Sequence, residues 1–408
     1  MEEALDKIAA TLASLPPVTV PSTNALHHIL AADVHAPRPQ PPFRASIKDG
    51  YAVSLPLSQP LKVTVSSHAG ASAPTAITAG TAAYVTTGAP VPQGADAVVM
   101  VENCLCENDI LTFTEQLSLQ NGQDIRQIGC DVAEGELVLA KGTYLGAAEI
   151  GILASCGITS LQVFDRPVIG VLSSGDEILD VGNLPESMPY GAIIDSNRPM
   201  LLASIQEALP FCKPIDLGIV PDTEHSVRQA LLAASEKCHI VITTGGVSMG
   251  RRDFIKPVLE NIATVHFGRV LMKPGKPLTY ATLSQHRCFL ALPGNPVSCF
   301  VCFHLAVAVA ARRLAGRNVN QAKGISIDVS LGHDIKLDKQ RPEYHRVTLQ
   351  HVHERGFVGT STGKQASSRL LSTRSADALL MLPKGDGVLP DGTKVKALLL
   401  NHYMHSGL

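Results

Sequence analysis

The sequence lacks several features by which a class of protein is often recognised. It has 34 Lys and Arg residues against 36 Asp and Glu, so no overall positive charge attracts it to nucleic acid or to an acidic membrane. The longest apolar run, from Cys299 to Ala311, is shorter than the ~20 residues that span a bilayer and contains His304, which predicts a buried helix. The start, MEEALDKIAATLASL, is typical of an amphipathic helix without a secretion signal, so a cytoplasmic location is expected.

Nine cysteines are present, but without the spacing of a disulfide framework or a zinc site, which favours reduced thiols. Cys299 and Cys302 come closest to a motif, and they lie in an apolar helical pattern where packing is the expected role. A dinucleotide-binding G-x-G-x-x-G after the first strand, a G-x-x-x-x-G-K-[ST] loop and a recognised nucleophile motif are also missing. These absences count against dinucleotide oxidoreductases and P-loop nucleotidases.

A length of 408 residues predicts about three domains. Residues 1–165 begin with a helix and a Pro-rich wrap and continue into a β-rich lobe at about residues 50–125. Residues 166–316 alternate strand and helix patterns, which predicts a doubly wound, largely parallel sheet. Residues 317–408 indicate a separate C-terminal β-barrel-like domain. The predicted fold class is therefore a multidomain α/β protein with a mixed N-terminal region.

The predicted strands of the middle domain are VIGVL, PIDLGIV, HIVITT, VHFGRVLM and CFLAL. Several of these strands end in loops rich in Gly, Pro and polar residues. The loops are SSGDE at 173–177, VPD at 220–222, TTGGVSMGRRD at 243–253, MKPGKP at 272–277 and LPGNPVS at 292–298. Because the carboxyl ends of parallel strands meet at one edge of a sheet, we expect these loops to form a ligand-binding crevice.

The third loop has the composition of an anion and metal site. Gly245 and Gly246 let backbone N–H groups approach an anion, Ser248 adds a hydroxyl donor, and Asp253 offers a carboxylate that could hold Mg²⁺ against a phosphate. A Gly-Gly turn after a strand also fits a purely structural role. The hypothesis therefore depends on the whole set of loops.

Ten motifs in chain order resemble the molybdenum insertase family, which includes MoeA-like proteins and the E domain of gephyrin. The motifs are SIKDGYAV, VTTGAPVPQGADAVVMVE, DIRQIGCDV, SSGDEI, IDSNRPML, TTGGVSMGRRDF, MKPGKP, LPGNPVS, RPEYHR and STGKQASSRLLS. The resemblance covers nearly the whole chain and implies a middle domain of the molybdopterin-binding type. It further implies a molybdopterin molybdenumtransferase, which inserts molybdate into adenylylated molybdopterin with Mg²⁺-dependent release of AMP.

The resemblance also implies roles for individual residues. Catalytic roles fall on Asp49, Asp131, Glu177, Asp222, Asp253, Lys273 and Lys276, with Asp222 and Asp253 as metal ligands. Substrate-binding roles fall on Thr87, Arg126, Ser174, Gly175, Asp176, Gly245, Gly246, Ser248, Pro293, Pro296, Ser298, Arg341, Arg346 and Ser367. The molybdate pocket would combine Ser298 and Ser367 with Arg346 or Arg341.

Structural roles for some of these residues stay open. Asp49 could serve simply to terminate a turn beside Gly50. Asp131 could act as a capping residue, and Arg346 could form an ion pair with Glu343. Lys273 and Lys276, beside a Gly/Pro turn, could be solvated surface charges.

In the family the site lies at a homodimer interface, so N-terminal motifs are expected to complete the crevice of a partner subunit. Two other functions stay open: a gephyrin-like scaffold that binds receptor or cytoskeletal peptides, and molybdopterin adenylyltransferase. The long N-terminal region and the C-terminal β-domain argue against the second. A separate adenylyltransferase protein or domain is an expected partner, and the chain could be a fragment of such a fusion. Nucleic acid and a transmembrane segment are not expected.

Overall fold

The computed structural model of the chain describes residues 1–70, 74–246 and 254–400. The N-terminal region is built mainly from short strands. Its elements are α1 (Glu2–Thr11), β1 (Pro17–Pro21), β2 (Val34–His35), β3 (Ala45–Ser46), β4 (Gly50–Val53), β5 (Leu61–Ser67), β6 (Thr81–Val85), β7 (Ala97–Met100), β8 (Cys104–Glu107), β9 (Ile110–Phe113), β10 (Ile125–Arg126), β11 (Leu137–Leu139), α2 (Ala147–Ser155) and β12 (Ser160–Phe164). Six of the strands form one sheet in the order β7-β4-β6-β5-β9-β8, which confirms the β-rich lobe.

The predicted N-terminal helix is also confirmed. In α1 and the residues after it, Leu5, Ile8, Leu12 and Leu15 are buried, as their helical spacing predicts. They join the largest hydrophobic core, which includes the long apolar helix of the middle region. The first helix of the chain is therefore packed on the domain that carries the crevice.

The middle region is a six-stranded sheet covered by helices. Its elements are β13 (Val168–Ser174), β14 (Ile178–Leu179), β15 (Ile193–Ile194), α3 (Asn197–Ala208), β16 (Lys213–Val220), α4 (Glu224–Lys237), β17 (Ile240–Thr244), α5 (Ile255–Ile262), β18 (Thr264–Phe267), β19 (Thr279–Ser284), β20 (Arg287–Leu292), α6 (Pro296–Cys302) and α7 (Ala308–Leu314). The sheet order is β16-β13-β17-β20-β19-β18. The first four strands are parallel, while β19 and β18 pair antiparallel at the far edge.

This order creates a switch point between β13 and β17. The chain leaves β13 toward β16 on one side of the sheet and then crosses to β17 on the other, so the loops diverge and open a crevice at the carboxyl ends. The predicted strand VHFGRVLM is wrong in its second half, because β18 ends at Phe267. The residues that follow form a closed turn, in which Val270 N donates to Lys276 O and Met272 is buried in the core.

The apolar run predicted as a buried helix is confirmed. Residues Phe303–Val307 continue α6 into α7 as a π-helical stretch, giving a helix from Pro296 to Leu314. Its mean hydropathy of 1.6 and its length would suit a membrane span, but 83% of the apolar window is buried inside the protein. The helix therefore lies at the centre of the largest hydrophobic core.

The C-terminal region is a closed barrel, as predicted. Its elements are α8 (Val319–Ala322), β21 (Ser326–Leu331), β22 (Ile335–Lys336), β23 (Glu343–Val352), β24 (Gly356–Ser361), β25 (Ala378–Leu382), β26 (Val388–Leu389) and β27 (Lys394–Leu399). The barrel order is β21-β24-β23-β25-β27. The strand β24 has the sequence GFVGTS. Its two glycines weaken the local strand pattern, and its place is fixed by pairing with β21 and β23 on either side.

Candidate active site

The loops after β13, β17 and β20 touch each other at backbone level above the switch point. A Cβ atom added to Gly245 would lie 2.6 Å from the carbonyl oxygen of Ser174, and one added to Gly294 would lie 3.6 Å from the Cα of Gly245. Gly245 and Gly246 also have φ values of +84° and +60°. These positions thus favour glycine, and they leave the backbone at the crevice uncovered by side chains.

Carboxylates line the same edge. The hydroxyl of Ser174 donates to Oδ1 of Asp222 (3.2 Å), and the backbone N–H of Asp222 donates to Oδ1 of Asp176 (3.0 Å). A Cβ atom on Gly175 would meet Oε2 of Glu177 at 2.7 Å, so that carboxylate folds back over the same turn. Oxygen donors of this kind are those that Mg²⁺ prefers.

Within the described parts of the chain, no group of three His, Cys, Asp or Glu side chains stands ready to hold a metal ion. The predicted metal pair combines Asp222 with Asp253, and Asp253 lies outside the described residues. Ser248 lies outside them as well. Their assignments remain predictions.

The amino end of α6 connects the crevice to the C-terminal barrel. Pro296 occupies the first turn of α6, and Ser298 beside it is buried. The N–H of Val297 donates to the carbonyl oxygen of Ser367 (3.1 Å), which brings a barrel loop onto this helix end. The first turn of a helix carries partial positive charge, so this junction suits an anion.

Arg346 is the most unusual side chain of this junction. It lies on β23 with no exposed surface, and its Nε donates to the hydroxyl of Ser372 (3.1 Å). Its Nη1 and Nη2 atoms are buried and have no hydrogen-bond partner among the residues that the structure describes. Burial lowers the pKa of the guanidinium to about 10, although the charge of Glu343 opposes that effect. A buried cation with unpaired donors is costly by itself and suits an anion that would complete it.

The backbone around Arg346 is fixed from both sides. Its N–H donates to Oε1 of Gln365 (2.9 Å), and Nε2 of Gln365 donates back to its carbonyl oxygen (3.2 Å). The hydroxyl of Thr362 donates to the carbonyl oxygen of Ser372 (2.6 Å). The barrel loop that carries Ser367 is therefore held in one place relative to the guanidinium.

Lys273 and Arg341 have carboxylate partners of their own. Nζ of Lys273 lies 2.9 Å from Oε2 of Glu343 and 3.4 Å from Oδ2 of Asp338, while Nη2 of Arg341 lies 3.8 Å from the same Asp338 oxygen. Burial acts to lower the pKa of Lys273, but the hydrogen bond to Glu343 acts to raise it. The net result is a raised pKa. Lys273 is thus a protonated link between the middle region and the barrel, whereas Lys276 is exposed on the same turn.

The N-terminal residues form a separate group. Oδ1 of Asp49 accepts hydrogen bonds from the N–H (2.6 Å) and the hydroxyl (3.0 Å) of Thr87, and these bonds lower the pKa of Asp49. Arg126 forms an ion pair with Asp131. The pairing of β3 with β10 brings the Asp49–Thr87 pair near the Arg126–Asp131 pair, because β10 contains Arg126 and β3 ends at Ser46, three residues before Asp49.

Known proteins resemble the chain along its length. Family models described as the MoeA N-terminal region (domain I and II), a probable molybdopterin binding domain and the MoeA C-terminal region (domain IV) match residues 1–157, 170–313 and 328–400. A Haemophilus influenzae protein named molybdopterin molybdenumtransferase is 34% identical over 93% of each chain. The chain belongs to the MoeA family. Its sequence resemblance to that family is therefore confirmed.

Other MoeA-family relatives differ in length. A Dictyostelium discoideum protein named gephyrin is 41% identical over 93% of this chain, which spans only 58% of that protein. Two solved structures of the molybdopterin biosynthesis MoeA protein from Pyrococcus horikoshii match with TM-scores of 0.81 and 0.79 at 28% and 27% identity, covering 98% of both chains. The fold and its order of domains are thus those of MoeA proteins.

The structure of this MoeA-family chain brings most of the predicted residues into three groups. The crevice group contains Ser174, Gly175, Asp176, Glu177, Asp222, Gly245 and Gly246, with Pro293 next to Gly294 in the chain, and the junction group contains Pro296, Ser298, Arg346 and Ser367. The N-terminal group contains Asp49, Thr87, Arg126 and Asp131, whose partners described above lie within their own region. Lys273, Lys276 and Arg341 lie beside the junction.

Three residues of the site have no role in the sequence-based prediction. Asn197 donates from Nδ2 to the carbonyl oxygen of Gly294 (2.8 Å), while its buried Oδ1 has no partner in the described part of the chain. Arg198 binds three aspartates, and Ser372 holds Arg346. For Asn197 and Arg198, the sequence signal that could have indicated a role was the polar run Asp-Ser-Asn-Arg between a strand pattern and a helix pattern. Charged residues at the start of a buried helix need partners.

Proposed function

We propose that this MoeA-family chain inserts molybdenum from molybdate into adenylylated molybdopterin and releases AMP, the final step of molybdenum cofactor biosynthesis. Relatives named molybdopterin molybdenumtransferase, aligned over most of both chains, support the proposal. The structural observation that carries it is Arg346, a buried guanidinium near α6 whose two NH₂ groups lack partners within the described ranges of the chain. Such a site suits a small oxyanion.

The molybdate end of the site would be the junction group. Molybdate is a tetrahedral dianion, so it needs positive charge and several O–H or N–H donors in a place that excludes water. Arg346 would supply the charge and a planar pair of donors, and Ser298 and Ser367 would supply hydroxyls. Lys276, exposed on the neighbouring turn, would add a second charge at the entrance. This division favours Arg346 over Arg341, because Arg341 is partly exposed and paired with Asp338.

The nucleotide end would be the crevice group. The backbone around Gly245 and Gly246 can approach a phosphate closely, and Ser174 orients the carboxylate of Asp222 toward it. The all-oxygen donor set fits Mg²⁺, which Asp222 and Asp253 would hold. When bound, the ion would neutralise phosphate charge as AMP leaves.

We also propose a homodimer in which the N-terminal group completes the site of the partner subunit. Apolar side chains are exposed around Asp49 and Asp131: Phe43 (39%), Ile47 (44%) and Ile128 (55%). A second apolar set is exposed on the loop between β14 and β15 and on β15 itself: Val181, Leu184, Met188, Tyr190, Ile193 and Ile194. Exposed apolar sets of this kind mark interaction surfaces, and a twofold axis would let the two sets meet twice.

The direct test is incubation of the purified chain with adenylylated molybdopterin, Mg²⁺ and molybdate, with AMP measured by anion-exchange chromatography. Release that depends on both molybdate and Mg²⁺, with molybdenum bound to the product, is the expected result. An Asp222→Asn variant is the matched control, because it keeps the side-chain volume and removes the charge. Absence of AMP release from the wild-type chain would refute the assignment.

A scaffold role is the second candidate, favoured by the 41% identity to the Dictyostelium protein named gephyrin. Binding of receptor-loop peptides without AMP release would select it. We further propose the domain bounds 1–165, 166–316 and 317–408, a cytoplasmic location, and a separate adenylyltransferase protein or domain as the source of substrate. The three family-model ranges support this division.

A further inference from the structure

One buried arginine joins the loops of the crevice. Arg198 lies in the first turn of α3, and only 7% of its side chain is exposed. Its Nε donates to Oδ2 of Asp195 (3.1 Å), Nη1 pairs with Asp216 and Nη2 pairs with Asp180. Each of its three nitrogens therefore contacts a different carboxylate, and the carboxylates come from three different segments.

Two of those segments continue directly into the crevice. Asp180 follows β14 and lies three residues after Glu177, while Asp216 lies on β16, six residues before Asp222. Asp216 also accepts from the N–H of Gly218 (2.9 Å), at the irregularity where β16 shifts register against β13. The guanidinium thus links the segment that follows the 176–177 turn to the strand that precedes Asp222.

The third segment sets the start of α3. Oδ1 of Asp195 accepts from the N–H groups of Asn197 and Arg198 (3.1 Å each), which fixes the first turn of the helix. The side chain of Asn197 then reaches the carbonyl oxygen of Gly294 (2.8 Å). The loop after β20 is therefore joined to the Arg198 network through Asp195 and Asn197.

The charges explain why an arginine is needed here. Burial alone would lower the pKa of Arg198, but the hydrogen bonds to Asp216 and Asp195 raise it, so the cation persists. Three carboxylates around one cation would repel each other if it were removed, and the partial exposure of Asp180 (42%) and Asp216 (49%) would let them move apart. A lysine ammonium cannot reproduce the planar fork that contacts all three.

We propose that Arg198 is a positioning residue that sets the spacing between the 176–177 turn and Asp222, and so the affinity of the crevice for a divalent cation. This inference rests on the proposed function, in which Asp222 holds the metal and the 176–177 turn lies beside it in the crevice. It assigns to Arg198 no contact with substrate. Molybdate binding at the Arg346 junction is expected to be independent of it.

The test removes one carboxylate partner of Arg198 at a time. Asp180→Asn and Asp216→Asn each leave Arg198 with two carboxylates and lie at partly exposed positions, so both variants should fold. Each should raise the Mg²⁺ concentration for half-maximal AMP release about 10-fold. This is the lower end of the effect expected when a residue that supports a metal ligand is lost. The molybdate concentration for half-maximal release should stay unchanged. Arg198→Lys should shift the Mg²⁺ dependence further than either variant.

Asp391→Asn is the matched control, because it breaks the exposed ion pair with Arg355 in the barrel and should behave as wild type. Mn²⁺ titration of each variant in the presence of AMP, followed by electron paramagnetic resonance, measures cation affinity without turnover. Equal Mn²⁺ affinity in wild type, Asp180→Asn and Asp216→Asn would overturn the inference, as would equal losses of Mg²⁺ and molybdate response. If the wild-type chain binds Mn²⁺ but releases no AMP, the proposed function fails while the Mn²⁺ comparison still decides the role of Arg198.

Discussion

Replacing Arg346 with methionine should make the ligand-free protein slightly more stable while it removes the response to molybdate. The fall of the Arg346 pKa from 12.5 to about 10 corresponds to about 3 kcal/mol against the charged form, at roughly 1.4 kcal/mol per pKa unit. The two buried NH₂ groups, which have no partner among the described residues, give a similar cost at about 1–3 kcal/mol each. The variant would lose the bond to Ser372, worth about 2 kcal/mol. The expected net gain in the free energy of unfolding is about 1 kcal/mol.

The assay is urea denaturation of wild type and Arg346→Met, each with and without molybdate. A ligand at 100 times its Kd stabilises the folded state by about 2.7 kcal/mol, so wild type should gain that amount and the variant none. Arg312→Met is the control, because burial also lowers the pKa of Arg312 to about 10, yet its Nη1 donates to the carbonyl oxygen of Ala322 (3.2 Å). That control should lose stability and keep the molybdate response.

Two results would refute this reasoning. A large loss of stability in Arg346→Met without ligand would show that the guanidinium already has adequate partners in the folded protein. An unchanged molybdate response would show that the anion binds elsewhere, even if the family's chemistry holds.

Four further outcomes are expected. Ser367→Ala should raise the molybdate concentration for half-maximal AMP release about 10-fold, as for one lost hydrogen bond to a charged group, with substrate affinity unchanged in calorimetry. Asp222→Asn should lower AMP release about 100-fold at every molybdate concentration, measured in the same assay. Burial lowers the pKa of His304 from 6.5 to about 3, so the unfolded chain binds the proton first and stability should fall as pH drops through that window. In urea denaturation the stability of the wild type should fall more steeply, by ~1.4 kcal/mol per pH unit, than that of His304→Phe. Ile128→Glu should shift sedimentation from dimer to monomer and reduce turnover.

The crevice could be predicted from the sequence because a parallel sheet gathers the carboxyl ends of its strands. Strand and helix periodicity predicted β13, β16, β17 and β20, and the loops that follow them do meet. The errors arose where local pattern and tertiary context disagree. The apolar residues of HFGRVLM suggested one continuous strand, but the strand ends at Phe267 and the residues after it form a turn in which Val270 and Met272 are buried.

Residue roles at the junction were harder to predict. The motif RPEYHR contains two arginines, and nothing in its letters distinguishes them. The structure separates them: Arg341 precedes β23 and its N–H donates to Asp338 at a turn, whereas Arg346 lies inside the strand and is fully buried. The partners of Arg198 were also hidden, because Asp180, Asp195 and Asp216 are brought together only by the βαβ crossover.

The two ends of the proposed site are positioned by different sets of contacts. We therefore expect variants that alter the response to molybdate without altering the response to Mg²⁺, and the reverse. The proposed molybdate end depends on contacts between the middle region and the barrel, namely the bond from Val297 to Ser367 and the ion pair of Lys273 with Glu343. The proposed nucleotide end depends on the Arg198 network inside the middle region. The loops of Gly245 and Gly294 touch at backbone level, so the ends are adjacent without sharing these supports. A change in one support should therefore alter the response to one ligand, while the short distance keeps both within reach of one bound substrate.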